Sequence, residues 1–232
     1  MPEPVNGLKR KILLALRAAL NGLLALAFFG LALFVPAQTL DFPNAWLFLG
    51  IFVISYVAIL VYISFANPDY ATTRYRANEI EKAQRIAMAG LISAALGILV
   101  VAGFDFRLHW SHVPLAVTVL SAVIMFVCFI LLFLVMNQNS YASRVVEIQK
   151  EQKLIDTGAY DIVRHPMYLL FGIVFIVLPL VLGSYFALFP AALIPFMLTV
   201  RIRNEEKVLM EGLSGYREYM KKVRYRLIPF IW

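Results

Sequence analysis

The sequence predicts an all-α integral membrane fold. It has about six membrane helical segments, the last two forming a helical hairpin, and then a cytoplasmic C-terminal helical tail. Three observations predict this. The 232 residues are 62% hydrophobic and only 15% charged, whereas a soluble domain carries about 25% charged residues. The apolar residues fall in runs long enough to cross a bilayer, which takes roughly 20 per helix. Threading those runs in turn leaves all but one of the 21 Lys and Arg on a single side.

The elements follow in order. The first span covers about 12–35. Lys9, Arg10 and Lys11 precede it and superficially resemble the start of a secretory signal. The apolar run is too long for one, holds Arg17 and Asn21, and lacks a clean small-residue cleavage site, so it reads as a retained span. Residues 36–44 make a polar turn, and the second span is about 45–66. A charged segment, 67–85, contains Asp69, Arg74, Arg76, Glu79, Glu81, Lys82 and Arg85. The third span is about 86–104, a short loop runs from Asp105 to His112, and the fourth span is about 113–136. Residues 137–166 form the longest hydrophilic stretch between spans. The first four spans (1–136) and the remainder (137–232) belong to one integrated domain, because no Gly/Ser-rich or Pro-rich linker separates them.

Residues 167–200 contain no charge over 34 positions. As one helix they would be about 50 Å long, against a hydrocarbon core of about 30 Å. Gly183-Ser184 lies near the middle, flanked by Pro179 and Pro190, which marks a hairpin with short arms. The charges agree. With the N-terminus, 67–85, 137–166 and the tail on the cytoplasmic side, only Arg107 lies outside. A single span would put the eight basic residues of 201–232 on the wrong side. The chain is thus expected to be multi-pass, with both termini cytoplasmic.

Several function classes are excluded or disfavoured. The net charge of +7 resides in residues flanking spans, where it sets orientation against anionic lipid, so no nucleic-acid partner is expected. Cys128 is the only cysteine and lies mid-span, a packing residue. His109 and His112 sit beside Trp110 in the outer loop without a third ligand, and no metal site is expected. The sequence has no GxGxxG, no P-loop and no GxSxG elbow.

What remains is Thr157-Gly158-Ala159-Tyr160-Asp161-Ile162-Val163-Arg164-His165-Pro166-Met167-Tyr168 at the mouth of the hairpin. His165-Pro166 is a helix start, with Pro in the first turn. The exposed N–H groups of that first turn would suit a carboxylate or another anion. The same residues also suit ordinary interfacial anchoring. At the other mouth lies Arg201-Ile202-Arg203-Asn204-Glu205-Glu206. Arg201 and Glu205 have i, i+4 spacing, a pair worth a few tenths of a kcal/mol. Burying such charges in a bilayer costs about 2.5–3.5 kcal/mol each, so they are solvated or serve a site. A tight hairpin brings both groups together.

These residues carry a resemblance. The segment Thr157–Tyr168 resembles the TGxYxxxRHPxY motif of isoprenylcysteine carboxyl methyltransferases and related membrane enzymes, including phospholipid N-methyltransferases. Arg201–Glu206 is similar to the RxRxEE stretch that follows the hairpin in that family. Asn139-Ser140-Tyr141, the approach Arg144–Lys153, Tyr216–Tyr219 and the ending Tyr225–Trp232 are similar to bacterial members. The resemblance covers about 137–232, which makes that part the expected catalytic region. One departure is Leu169-Leu170-Phe171 before Gly172, where many members have glycine soon after the motif tyrosine.

The resemblance implies S-adenosylmethionine as methyl donor, bound at the cytoplasmic face. It implies cofactor contacts from Tyr160, His165, Pro166, Tyr168, Glu205 and Glu206. Arg201 and Arg203 would face the acceptor or complete the site by pairing with the acids. The acceptor would be lipophilic, an isoprenylcysteine-like carboxylate first, with a phospholipid amine or a small lipophilic thiol as alternatives. Two other classes stand behind this. Tyr225–Trp232 is also similar to the terminus of NADPH-dependent sterol reductases, which lack the His-Pro pair. A non-catalytic transporter subunit or sensor would carry ionisable residues within its spans, and none is read in the cores of spans two to four or of the hairpin.

Overall fold

The computed structural model describes residues 4–66, 82–139, 141 and 152–232, with side chains in 16–61, 84–139, 141 and 152–232. Residues 67–81 of the charged segment 67–85, and most of the approach 144–153, lie outside the described residues. Among the described residues all regular structure is helical. Helix α1 is Pro4–Ala37, α2 is Pro43–Ala66, α3 is Lys82–Leu108 and α4 is Leu115–Gln138. A 3-10 turn, Gly158–Asp161, precedes α5, Pro166–Val181. Then come the short α6, Leu188–Ala191, the longer α7, Leu193–Gly212, and α8, Tyr216–Lys222.

Four of these helices are long and apolar enough to cross a membrane, over Leu16–Ala37, Pro43–Val61, Gln84–Leu108 and Leu115–Gln138. Their outer faces are apolar too: Leu16, Leu23, Ile54, Leu115 and Leu120 are all exposed. A helix that is apolar all round asks for a lipid surround rather than water. The hairpin arms are different. The 16 residues of α5 rise about 24 Å, short of the hydrocarbon core. The returning arm is broken at Ala192, between α6 and α7. Helix α7 then runs on beyond the apolar stretch to Gly212, so Arg201 to Glu206 lie around its middle.

The core forms where α1, α3, α4 and α5 meet, around Leu33, Ile98, Ala102, Met125, Val181 and Leu182. Gly103 lets α3 approach α1 closely, since a Cβ there would lie 2.6 Å from the Leu33 carbonyl oxygen and from Pro36 Cγ. At the same end Phe42 stacks on Phe106, with centroids 4.1 Å apart.

The hairpin turn is clamped at this end. Gly183 has φ of +78°, which a side chain resists, and a Cβ there would meet Asn44 Nδ2 at 2.7 Å. Asn44 instead donates to the Val181 carbonyl at 3.0 Å, and Thr118 Oγ1 donates to that of Leu180 at 3.2 Å. The Ser184 hydroxyl donates to Asp105 Oδ2. Ser111 donates to the same carboxylate through its hydroxyl and, at 2.8 Å, through its backbone N–H. Asp105 is 1% exposed. It corrects the sequence reading: the residue assigned to the outer loop lies in the last turn of α3, which ends at Leu108 rather than near residue 104. A carboxylate there is tolerated because three donors surround it.

Candidate functional site

The site lies at the opposite end of the helices, where α5 begins and α7 leaves the apolar stretch. Pro166 is the first residue of α5 and His165 its N-cap, with φ −128° and ψ 60°. Their arrangement is held from outside the helix. The Arg164 and His165 N–H groups donate to the Tyr225 and Arg226 carbonyls, each at 2.9 Å. The segment after α8 is thereby pinned across the motif.

Glu206 fastens the same junction through its side chain. Arg164 Nε donates to Glu206 Oε1 at 2.7 Å, and Arg226 Nε donates to Oε2 at 2.7 Å. Arg164 Nη1 also donates to the carbonyls of Val223 and Arg224, each at 2.8 Å. Burial opposes ionisation of Glu206, but the closeness of His165, Arg226 and Arg164 outweighs it and lowers its pKa to about 2. His165 Nε2 lies 3.4 Å from Glu206 Oε1. It is buried, and it has no hydrogen-bond partner among the described residues.

A second polar chain crosses from α5 to α7 and α3. The Tyr168 hydroxyl donates to Glu205 Oε2 at 2.6 Å and accepts from Arg201 Nε at 2.9 Å. Arg201 Nη1 donates to Gln84 Oε1 at 3.2 Å, and Gln84 Nε2 donates back to the Arg201 carbonyl at 3.2 Å. Gln84 is fully buried and Arg201 is nearly so. An apolar helix face would reject this guanidinium; the chain of partners keeps it there.

A third group forms around the 3-10 turn. Ala159 N–H donates to Gln138 Oε1 at 3.1 Å, and Asn139 Nδ2 donates to the Tyr160 hydroxyl at 3.1 Å. From α8, the Tyr219 hydroxyl donates to the Tyr160 carbonyl at 2.6 Å. Tyr216 packs with Leu213, Tyr219 and Val223. Its hydroxyl is buried and, among the described residues, without a partner.

These groups enclose a cavity of about 540 Å³, within the roughly 300–1,000 Å³ typical of small-molecule sites. Its charged and polar lining includes Lys153, Arg164, His165, Tyr168, Arg201 and Glu205. One end is aromatic and faces Tyr160, Leu213, Tyr216 and Tyr219. The other end is an apolar slot between α3 and the hairpin. There Met88, Leu91, Ile92 and Ala95 of α3 face Phe171 and Phe175 of α5. Those four α3 residues lie within its membrane-length apolar stretch, and Ile92 is 58% exposed.

The residues named from the sequence distribute unevenly. Tyr160, His165, Pro166, Tyr168, Arg201 and Glu205 all line the cavity. Glu206 is 2% exposed and lies behind the lining, tied to the two arginines. Arg203 is exposed on α7 and outside the cavity lining. Gln84, Arg164, Tyr216 and Arg226 were not singled out individually. Arg164 sits inside the motif, so a signal for it existed. Gln84 is separated from Arg201 by 117 positions, and no local pattern marks it.

Residues 115–211 match the model of the isoprenylcysteine carboxyl methyltransferase family. The match supports the resemblance drawn from the motif, and it takes in α4, the 3-10 turn, the whole hairpin and most of α7. No curated protein matches the chain.

Proposed function

We propose that this chain is a membrane methyltransferase that moves the methyl group of S-adenosylmethionine to a lipophilic acceptor; the match of residues 115–211 to the isoprenylcysteine carboxyl methyltransferase family supports the reading. An isoprenylcysteine-like carboxylate is the first choice of acceptor. A phospholipid amine and a small lipophilic thiol are the alternatives. The observation that carries the reading is a cavity whose lining joins the charged groups Arg164, Arg201 and Glu205 to the apolar residues of α3 and α5.

The residues present suit the cofactor. The start of α5 favours a carboxylate, and Glu205 lines the cavity where an ammonium could pair. Bound there, S-adenosylmethionine supplies an electrophilic methyl on a sulfonium. The chain's own task is alignment and exclusion of water, worth several kcal/mol when two reactants are held in line. A carboxylate acceptor arrives ionised and needs no base. Arg201, held by Tyr168 and Gln84, supplies the positive charge that would orient such a head group, while Phe171 and Phe175 would receive its tail.

The accompanying topology is six membrane segments with both termini in the cytoplasm, the cavity at the cytoplasmic face and the Gly183-Ser184 turn on the far side. The partners are the bilayer itself and the acceptor that enters from it.

Calorimetry on the purified protein in detergent tests the cofactor. S-adenosylhomocysteine should bind. His165→Ala should weaken it ten- to a hundredfold, the loss of about 1.5–3 kcal/mol from a hydrogen bond to a charged group. A folded wild type that gives no heat with this compound but binds NADPH would replace methyl transfer with a reductase.

A further inference from the structure

We propose that residues 227–232 insert into the bilayer interface beside the pocket, with Ile228, Phe230 and Ile231 among the lipid headgroups and the first part of the acyl chains. The partner is a membrane surface carrying anionic lipid. By gripping it, this turn braces the stretch of tail that pins the start of α5.

The turn holds its apolar side chains outward. The Leu227 and Ile228 N–H groups donate to the Trp232 carbonyl at 2.9 and 3.1 Å. The Ile231 and Trp232 N–H groups donate to the Ile228 carbonyl at 3.2 and 3.1 Å. Phe230 has φ of +66°, a region that bulky side chains avoid. Its ring leans on that of Tyr225, with centroids 5.3 Å apart, yet the residue is 88% exposed. Backbone strain at an aromatic residue that packs so little points to a task outside the fold. Ile231 is 77% exposed and Ile228 40%. None of residues 227–232 lines the cavity.

Its position suits an interface. The carbonyls just before it, of Tyr225 and Arg226, accept the N–H groups of Arg164 and His165, the two residues that precede α5. Beyond them α5 is apolar throughout. The turn therefore leaves the bundle where the chain passes from charged to apolar, the level at which headgroups lie. It is also fastened there. The Arg226 guanidinium lies over the Trp232 ring, 5.4 Å from its centroid, while Arg226 Nε donates to the buried Glu206.

The charges select the partner. Residues 217–226 carry five basic side chains and one acid, Glu218, whereas 227–232 carry no charged side chain. Lys221 and Arg224 are exposed, and Lys222 pairs with Asp161 at 2.8 Å. A single exposed apolar residue is ordinary. Three within four positions, beside a basic rim, fit an amphipathic surface that lies on anionic lipid. Tyr225 and Trp232 are of the side-chain types that favour this boundary.

Spin labels measure the depth. In a Cys128→Ser background, Phe230→Cys and Lys221→Cys are labelled singly. The protein is placed in phosphatidylcholine vesicles with and without phosphatidylglycerol. Oxygen, which partitions into hydrocarbon, should relax the label at position 230 more than a water-soluble nickel chelate does, and the order should reverse at position 221. Phosphatidylglycerol should draw the label at 230 deeper. Stronger relaxation by the chelate at 230 puts the turn in water and overturns the proposal. Weak relaxation by both agents means that protein covers it, another segment or a second copy, and overturns it equally. A depth that ignores phosphatidylglycerol overturns the role given to the basic rim. Hydrogen exchange in the same vesicles reads the brace. Phe230→Ser with Ile231→Ser should accelerate exchange at the Arg164 and His165 amides severalfold and leave the Tyr185 amide, at the opposite end, as it was. Unchanged exchange at 164 and 165 overturns the brace. Acceleration at all three amides marks a misfolded variant, and the labelled proteins then decide. Neither measurement uses cofactor or acceptor, so failure here is separate from failure of the methyltransferase reading.

Discussion

Glu206 illustrates how one buried charge can organise a site from behind its lining. Its carboxylate receives Arg164 and Arg226 at 2.7 Å each, with His165 beside it. Removing one member of such a buried set costs about 3–5 kcal/mol, because the remaining charges are stranded. Glu206→Gln should therefore lower thermal stability clearly in detergent. The pH dependence gives a second check. The folded value of about 2 lies below the ordinary 4.5. The ionised group thus contributes stability that is complete above pH 4.5 and is lost as pH falls toward 2. The melting-temperature gap between wild type and variant should shrink across that window, and a gap independent of pH would contradict the assignment. At this scale the sequence was partly legible. The two motif stretches exposed His165 and Tyr168 at one mouth of the hairpin and Glu205 at the other, since each stretch is local. They did not separate the two adjacent acids. Glu205 faces the cavity and Glu206 faces the arginines, a division set by the phase of α7 against the tail.

At the scale of elements the hairpin was legible because an uncharged run of 34 residues exceeds what one span holds. The end of α3 was not. A carboxylate in sequence looks like a loop, and only the folded partners Ser111 and Ser184 make Asp105 a helical residue. The clamp has a measurable consequence. The Tyr185 N–H donates to Ser111 Oγ and the Ala187 N–H to Ser184 Oγ, both at 3.0 Å. Asp105→Ala would release both hydroxyls, each lost bond to a charged acceptor being worth about 1.5–3 kcal/mol. Hydrogen exchange at the amides of Tyr185 and Ala187 should accelerate, while amides in the middle of α4 keep their protection. Equal acceleration everywhere would mean global destabilisation rather than a local clamp.

At the scale of the molecule the cavity is where the helical bundle and the polar tail meet. Its apolar slot is made by α3 and α5 together, which the sequence could not reveal, since those helices are far apart in the chain. If the acceptor's tail occupies this slot, remote binding energy positions the reacting atom. A matched series of acceptors with lengthening tails, assayed at fixed cofactor, should show kcat/KM rising by about a factor of four per buried methylene, from about 0.8 kcal/mol each. A flat series would assign the slot to packing alone.

The pinning of Arg164 and His165 by residues 225 and 226 also has a meaning in time. Translation makes α1 to α5 well before Arg226. Until then Glu206 has only Arg164 as its arginine partner, and the start of α5 lacks the carbonyls that later receive its N–H groups. The earlier helices can thus enter the membrane while the pocket is still unfinished, and the arrival of residues 225 and 226 is what completes it.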